Sequence, residues 1–197
     1  RGWESSISLI GHVGYKCIEC RNPAADMQSR GGVFTYNFYN STDNSIAEMI
    51  TVTFDGLCYP KNPGGVAAYG YLILRDKEPI WKGFGAVGEG RGMTNNVAEY
   101  EGLLAAARWL NDEGIDEKIE IRGDSELVIK QMKGEYRISS ATSKRYVPQI
   151  KELLAGKEVS FQWVPREKNE EADRLSRVAY ESYMRRKKSS SNSVSST

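Results

Sequence analysis

An α/β domain with a mixed five-stranded sheet, flanked by helices, is the fold that this 197-residue sequence predicts. Strand-like runs rich in β-branched and aromatic residues come first, at 50–54, 66–74 and 80–84, with turn residues between them. A helical period takes over from Val97, where Tyr100, Leu103, Leu104, Ala107 and Leu110 recur at three- and four-residue spacing and make one apolar face. Two short strands at 119–122 and 159–164 then alternate with further helical stretches, the order expected of a sheet that is partly parallel.

The first three strands follow one another through short turns and read as an antiparallel meander. Gly114 stops the first helix, and helices are expected at 125–133 and 146–154, with a last one from Glu170 to Tyr183. Together these elements define a domain over 49–184. Residues 1–48 lack sustained periodicity and carry loop-like clusters at Gly31-Gly32 and Asn40–Ser45, so they read as an extension that is poorly structured or foreign to the natural product. The missing initiator Met points to a fragment or a processed chain. Arg185-Arg186-Lys187-Lys188 and the Ser-rich end read as a solvated tail over 185–197, with nucleic-acid contact as the lesser reading.

Lys and Arg number 27 against 26 Asp and Glu, so any surface for a polyanion has to be local. Three cysteines, an odd number, speak against a disulfide framework, and no apolar run is long enough to span a bilayer. With no apolar stretch of signal-peptide length at the start, a reducing, cytoplasmic compartment is expected, with no membrane partner. His12, Cys17 and Cys20 have zinc-like spacing, but no second pair lies nearby.

Four acids stand at suggestive places. Asp55 ends the first strand and Asp124 ends the strand after the first helix, so both are expected at neighbouring strand ends. Glu99 lies in the first turn of the first helix and Asp173 in the first turn of the last. Four carboxylates in one small volume repel one another unless divalent cations occupy it, and hard oxygen donors favour Mg²⁺ or Mn²⁺. Each acid also has an ordinary reading. Asn96 with Glu99 looks like a capping box, Asp124 like an N-cap, Asp173 like a dipole-favoured first-turn acid, and Asp55-Gly56 like a turn.

The order of Thr53-Phe-Asp-Gly56, Asn62-Pro-Gly64, Thr94-Asn-Asn-Val-Ala-Glu99, Gly123-Asp-Ser125 and Asn169-Glu-Glu-Ala-Asp-Arg-Leu-Ser176 gives the constellation its specificity. These segments resemble type 1 ribonuclease H across Met49 to Tyr180, and in particular its compact archaeal-like members. Residues 134–149 are too few, and too poor in tryptophan and lysine, for the basic protrusion of some bacterial relatives. The resemblance implies the ribonuclease H-like fold and a monomeric endoribonuclease that cuts the RNA strand of an RNA–DNA hybrid, with double-stranded RNA as a further possible partner. It implies that Asp55, Glu99, Asp124 and Asp173 bind two Mg²⁺ ions, for which Mn²⁺ can substitute, and that the products carry 5′-phosphate and 3′-hydroxyl ends.

The resemblance further implies that Cys58, Asn62, Asn96 and the Pro63–Gly65 turn contact the hybrid near the metals, while Thr94 helps hold a DNA-strand phosphate; Asn95 has the same chemistry as Asn62 and Asn96 and is a candidate beside them. Short polar groups of this kind suit the sensing of 2′-hydroxyls. Glu126 stands where relatives often carry a glutamine that touches the minor groove, and an acid there cannot donate a hydrogen bond. Lys130, Lys133, Arg137, Lys144 and Arg145 offer a basic strip instead. In the loop before the last helix, where many relatives carry a histidine, this chain has Arg166. Its guanidinium cannot act as a general acid, so its contribution is expected to be electrostatic; the ordinary alternative is a pair with Glu170 or Glu171.

Overall fold

A computed structural model describes residues 49–194. Their elements follow in the order β1 (Met49–Tyr59), β2 (Val66–Arg75), β3 (Glu78–Glu89), α1 (Asn95–Asp112), β4 (Lys118–Gly123), α2 (Glu126–Lys133), α3 (Ala141–Leu153), β5 (Val159–Trp163) and α4 (Glu170–Val194). A single 3₁₀ turn, Arg166–Lys168, precedes α4. The sheet runs β3-β2-β1-β4-β5. Pairing is antiparallel between β1 and β2 and between β2 and β3, and parallel between β1 and β4 and between β4 and β5. The expected meander followed by parallel strands is therefore the sheet that forms.

Four boundaries depart from the sequence reading. Strand β1 continues past Phe54 to Tyr59, because Asp55 and Gly56 pair with Gly70 and Tyr69 of β2. The ladder overrides the turn-like chemistry of Asp-Gly, and Asp55 lies inside the strand rather than at its end. Strand β3 likewise runs on to Glu89, paired with β2. Helix α3 starts at Ala141, five positions early, because the Ser140 hydroxyl caps it by accepting from the Ser143 N–H at 3.0 Å. Helix α4 passes Tyr183 and carries the basic run on its surface; Arg185 pairs with Glu181 and Lys187 with Glu89 of β3. Among the described residues, no helix is long and apolar enough to cross a membrane. His12, Cys17, Cys20 and the rest of 1–48 lie outside the described residues.

Alternation along β1 sorts its side chains onto two faces. Ile50, Val52 and Phe54 join Tyr71 and Ile73 of β2 and Ile119 and Ile121 of β4 in the main core, under Leu103, Leu104 and Leu110 of α1. Val128, Ile129 and Met132 of α2 and Tyr146, Val147 and Ile150 of α3 close it. Thr51, Thr53 and Asp55 point to the opposite face, which α4 covers with buried Ala172, Leu175 and Ala179.

Two glycines let the helices approach as closely as they do. A Cβ on Gly56 would fall 2.2 Å from the backbone nitrogen of Glu99, so α1 lies directly against β1 at that point. A Cβ on Gly70 would fall 2.4 Å from Leu175 Cβ and 2.6 Å from the Ser176 nitrogen, so α4 presses on β2 beside the residue that pairs with Asp55. Both contacts are against backbone, which cannot swing aside. Gly70→Ala is expected to destabilise the domain by about 1–3 kcal/mol, the usual range for overpacking. Thermal or urea unfolding checks this, and an unchanged midpoint would refute the close-approach account of α4.

Candidate active site

The parallel register of β1 and β4 pairs Phe54 with Gly123, so the next residues, Asp55 and Asp124, emerge side by side. Glu99 comes from the first turns of α1, held against β1 at Gly56. One carboxylate oxygen from each of Asp55, Glu99 and Asp124 lies within 4.8 Å of the others. Asp55 and Glu99 are only 4% and 5% exposed, so two of the three acids are cut off from water.

The ordinary readings of these acids do not match the geometry. Thr94, not Asn96, caps α1, its hydroxyl accepting from the Val97 N–H at 3.1 Å. Ser125 occupies the N-cap of α2 without a side-chain bond, while Asp124 Oδ1 accepts from Asn169 Nδ2 at 2.9 Å. Asp55 sits in a strand, not a turn.

Burial pushes Asp55 up to about 6, against the lowering effect of the Ser176 hydrogen bond; Asp124 and Asp173 add to the rise. Burial also drives Glu99 well above the usual carboxylate range, with Asp55 and Asp124 contributing. Only one Glu99 oxygen has a partner, accepting from Asn95 Nδ2 at 3.3 Å; Oε2 is buried with none. An orphaned buried oxygen beside two further carboxylates is costly unless a cation or a proton satisfies it. The all-oxygen donor set suits a hard divalent ion such as Mg²⁺ or Mn²⁺.

Asp173 stands in the first turn of α4, outside that group of three. Its carboxylate accepts from Arg177 Nε at 2.8 Å and from Arg166. Desolvation works to raise Asp173, but the Arg177 and Arg166 guanidiniums prevail and hold it below its usual range. Arg166 therefore pairs with neither Glu170 nor Glu171; Glu171 instead accepts from Arg174 and Lys82. Arg166, Arg177 and Asp173 line a 340 Å³ cavity together with Leu57, Cys58, Tyr59, Asn95, Tyr180 and Glu181.

The remaining sequence candidates are spread around this centre. Asn62 Oδ1 accepts from the Asn95 N–H at 3.1 Å, tying the β1–β2 loop to the start of α1. Cys58 Sγ donates to the Lys61 carbonyl at 3.2 Å, and Asn96 is exposed. Glu126 lies apart at the start of α2, paired with Lys130 at 2.5 Å and within 3.5 Å of the Tyr136 hydroxyl. Sequence reasoning missed Asn169, Ser176 and Arg177 as individual contributors. Their signal was spacing, since residues 169, 173 and 176 fall on one face of a helix.

The reverse transcriptase-like family's sequence signature matches residues 53–179, and the chain belongs to that family. Within it, the likeness is to type 1 ribonucleases H. Ribonuclease HI of Halobacterium salinarum is 39% identical over 119 residues, 60% of this chain and 58% of the relative. The chain thus spans under two thirds of that curated relative, and 24% of a bifunctional protein of Mycobacterium tuberculosis that is 33% identical over 94 residues. The crystal structure of RNase H1 from H. salinarum superposes with a TM-score of 0.61 at 34% identity, covering 68% of this chain and 98% of that one. LC11-RNase H1 in complex with RNA/DNA hybrid gives 0.63 at 32% identity, covering 68% and 99%.

The raised pKa of Asp55 sets a direction for stability. A carboxyl that titrates near 6 when folded and near 3.8 when unfolded stabilises the fold while protonated, and that contribution is lost as pH rises through about 6. Without divalent cations, Asp55→Asn should therefore gain about 1–3 kcal/mol over the parent at pH ~7.5, and nothing below pH ~4. Chemical unfolding in chelator across this range measures it. A gain that does not depend on pH would contradict the assignment.

Proposed function

We propose that residues 49–184 form an endoribonuclease that hydrolyses the RNA strand of RNA–DNA hybrids in a Mg²⁺-dependent reaction. The observation that carries the reading is the group of Asp55, Glu99 and Asp124, two of them buried, with one Glu99 oxygen left unpartnered. Similarity to an RNase H1 described in complex with RNA/DNA hybrid supports the substrate. We place the protein in the cytoplasm, on the strength of its odd cysteine count, and treat it as a monomer because one chain supplies the whole carboxylate group.

Asp55, Glu99 and Asp124 would hold the cations, joined by Asp173 from α4. A pair of Mg²⁺ or Mn²⁺ ions held there would supply water activation and charge stabilisation at the leaving 3′-oxygen, the chemistry that yields 5′-phosphate and 3′-hydroxyl ends. Arg166 is exposed beside Asp173 and stays protonated, so it adds positive charge where the phosphate gains negative charge. Cys58, Asn62, Asn95 and Asn96 offer short polar contacts to the ribose edge of the minor groove, and Thr94 lies at the helix start where a DNA-strand phosphate is welcome. At Glu126 the acid is masked by Lys130, whose ammonium can face the substrate in its place.

The test is incubation of the protein with labelled hybrid, duplex RNA and duplex DNA, with Mg²⁺, Mn²⁺ or chelator. Cleavage of the hybrid's RNA strand that stops with chelator is expected; no cleavage of any hybrid overturns the reading. Asp124→Asn should lower turnover by about 100-fold or more while hybrid binding persists, because it removes a charged ligand at constant volume. For Arg166→Ala a rate loss of about 10-fold or more is expected, with hybrid affinity nearly unchanged. Single-turnover kinetics beside a filter-binding titration separate the two effects, and a full-rate Arg166→Ala enzyme would remove the arginine from the reaction.

A further inference from the structure

We propose that Ser176, acting with Asn169, is a positioning residue for the carboxylate group. Helix α4 grips one oxygen of Asp55 and one of Asp124, and so presets the two strand-borne acids for a divalent cation. The inference rests on the reading of Asp55, Glu99 and Asp124 as a cation site, and it concerns two residues that touch the acids rather than the ion.

Asn169 immediately precedes α4 and Ser176 lies seven positions on, in its second turn. They are 2% and 0% exposed, more deeply buried than the acids they hold. The Ser176 hydroxyl lies 2.7 Å from Asp55 Oδ2 and 2.8 Å from the Asp173 carbonyl. It has one proton for two acceptors, and the carboxylate is the stronger acceptor when ionised. Elsewhere on α4, Ser189 donates to the carbonyl of Arg185, four residues back. Ser176 differs in having a carboxylate from another element within reach, and Gly70 is what allows it. With no Cβ there, the Ser176 backbone comes down onto the sheet beside Asp55.

At the other end of the grip, Asn169 spends both amide hydrogens on acceptors. Its Nδ2 donates to the Phe54 carbonyl at 2.8 Å and to Asp124 Oδ1 at 2.9 Å. Both partners are acceptors, so the amide cannot be turned over without losing both bonds. Its own Oδ1 is left buried without a partner, which a residue kept only for packing would have no reason to accept. Asp55 Oδ1 and Asp124 Oδ2 make no hydrogen bond among the described residues. Each acid therefore has one oxygen committed to α4 and one left for a ligand. Groups that orient metal-binding side chains in this way matter to affinity nearly as much as the ligands.

The experiment is Mn²⁺ titration of the full chain without nucleic acid, by calorimetry or electron paramagnetic resonance. Ser176→Ala removes only the hydroxyl and is expected to bind Mn²⁺ about 10-fold more weakly. Ser176→Cys keeps the shape with a weaker donor and should fall between; it also serves if the alanine variant folds poorly. Ser189→Ala loses only a helix carbonyl bond and should match the parent. On hybrid, Ser176→Ala should lower kcat at limiting Mn²⁺ and leave KM unchanged. Mn²⁺ affinity within twofold of the parent in both Ser176 variants, or an equal loss in Ser189→Ala, would overturn the proposal. A parent chain that binds no Mn²⁺ would overturn the cation reading itself, and this inference with it.

Discussion

Mutual repulsion among acids brought together out of water is the constraint around which this domain is built. The parallel pairing of β1 with β4 makes it unavoidable, since the register that buries Ile50, Val52 and Phe54 against Ile119 and Ile121 also brings Asp55 beside Asp124. Shifting β4 by one residue would separate the acids only by turning its apolar side chains out of the core. The core therefore enforces the proximity that electrostatics opposes. A protein gains nothing in stability from that arrangement, so its persistence is a mark of function.

What surrounds the acids is arranged to hold them in spite of the repulsion. Gly56 brings α1 down on β1 and delivers Glu99; Gly70 brings α4 down on β2 and delivers Ser176. The two helices reach opposite faces of the same strand pair, because Gly56 and Gly70 stand in adjacent rungs of the β1–β2 ladder, whose side chains point to opposite faces. Asp55 thus meets α4 on its own face, while Glu99 comes from α1 on the other face, beside Gly56. Trp163, at the end of β5, adds a bond from its indole N–H to the Asp124 carbonyl at 3.0 Å, so the backbone as well as the side chain of that acid is fixed.

Sequence alone carried the element order and the mixed sheet because apolar periodicity records which faces are buried, and Tyr100, Leu103, Leu104, Ala107 and Leu110 are indeed buried in α1. It also brought Asp55, Glu99 and Asp124 together, since strand and helix ends can be placed by pattern. It erred where a tertiary partner outweighs local preference. Asp55-Gly56 has turn chemistry, yet ladder bonds to β2 keep it in a strand. Tyr146 marks where apolar periodicity begins in α3, but the helix starts five residues earlier at the Ser140 cap, on residues that are mostly exposed. Asp173 finds its partners nearby, Arg177 four positions on and Arg166 seven before. The carboxylates that Asn169 and Ser176 hold lie more than forty residues away in the chain, so helix spacing could single those two out without saying what they touch.

Asp173 shows how the site handles charge when the acids must be held together. Asp55 and Glu99 take up the strain of burial by becoming reluctant to ionise, whereas Asp173, with Arg166 and Arg177 on its carboxylate, is held ionised. Both guanidiniums are largely solvent-exposed, so their pull is screened and the pairing can be exchanged for another at small cost. One acid held by exposed arginines and two held by buried neutral donors divide the site in two. The strand-borne pair is fixed by Asn169 and Ser176, and Asp173 is the member that can change partners.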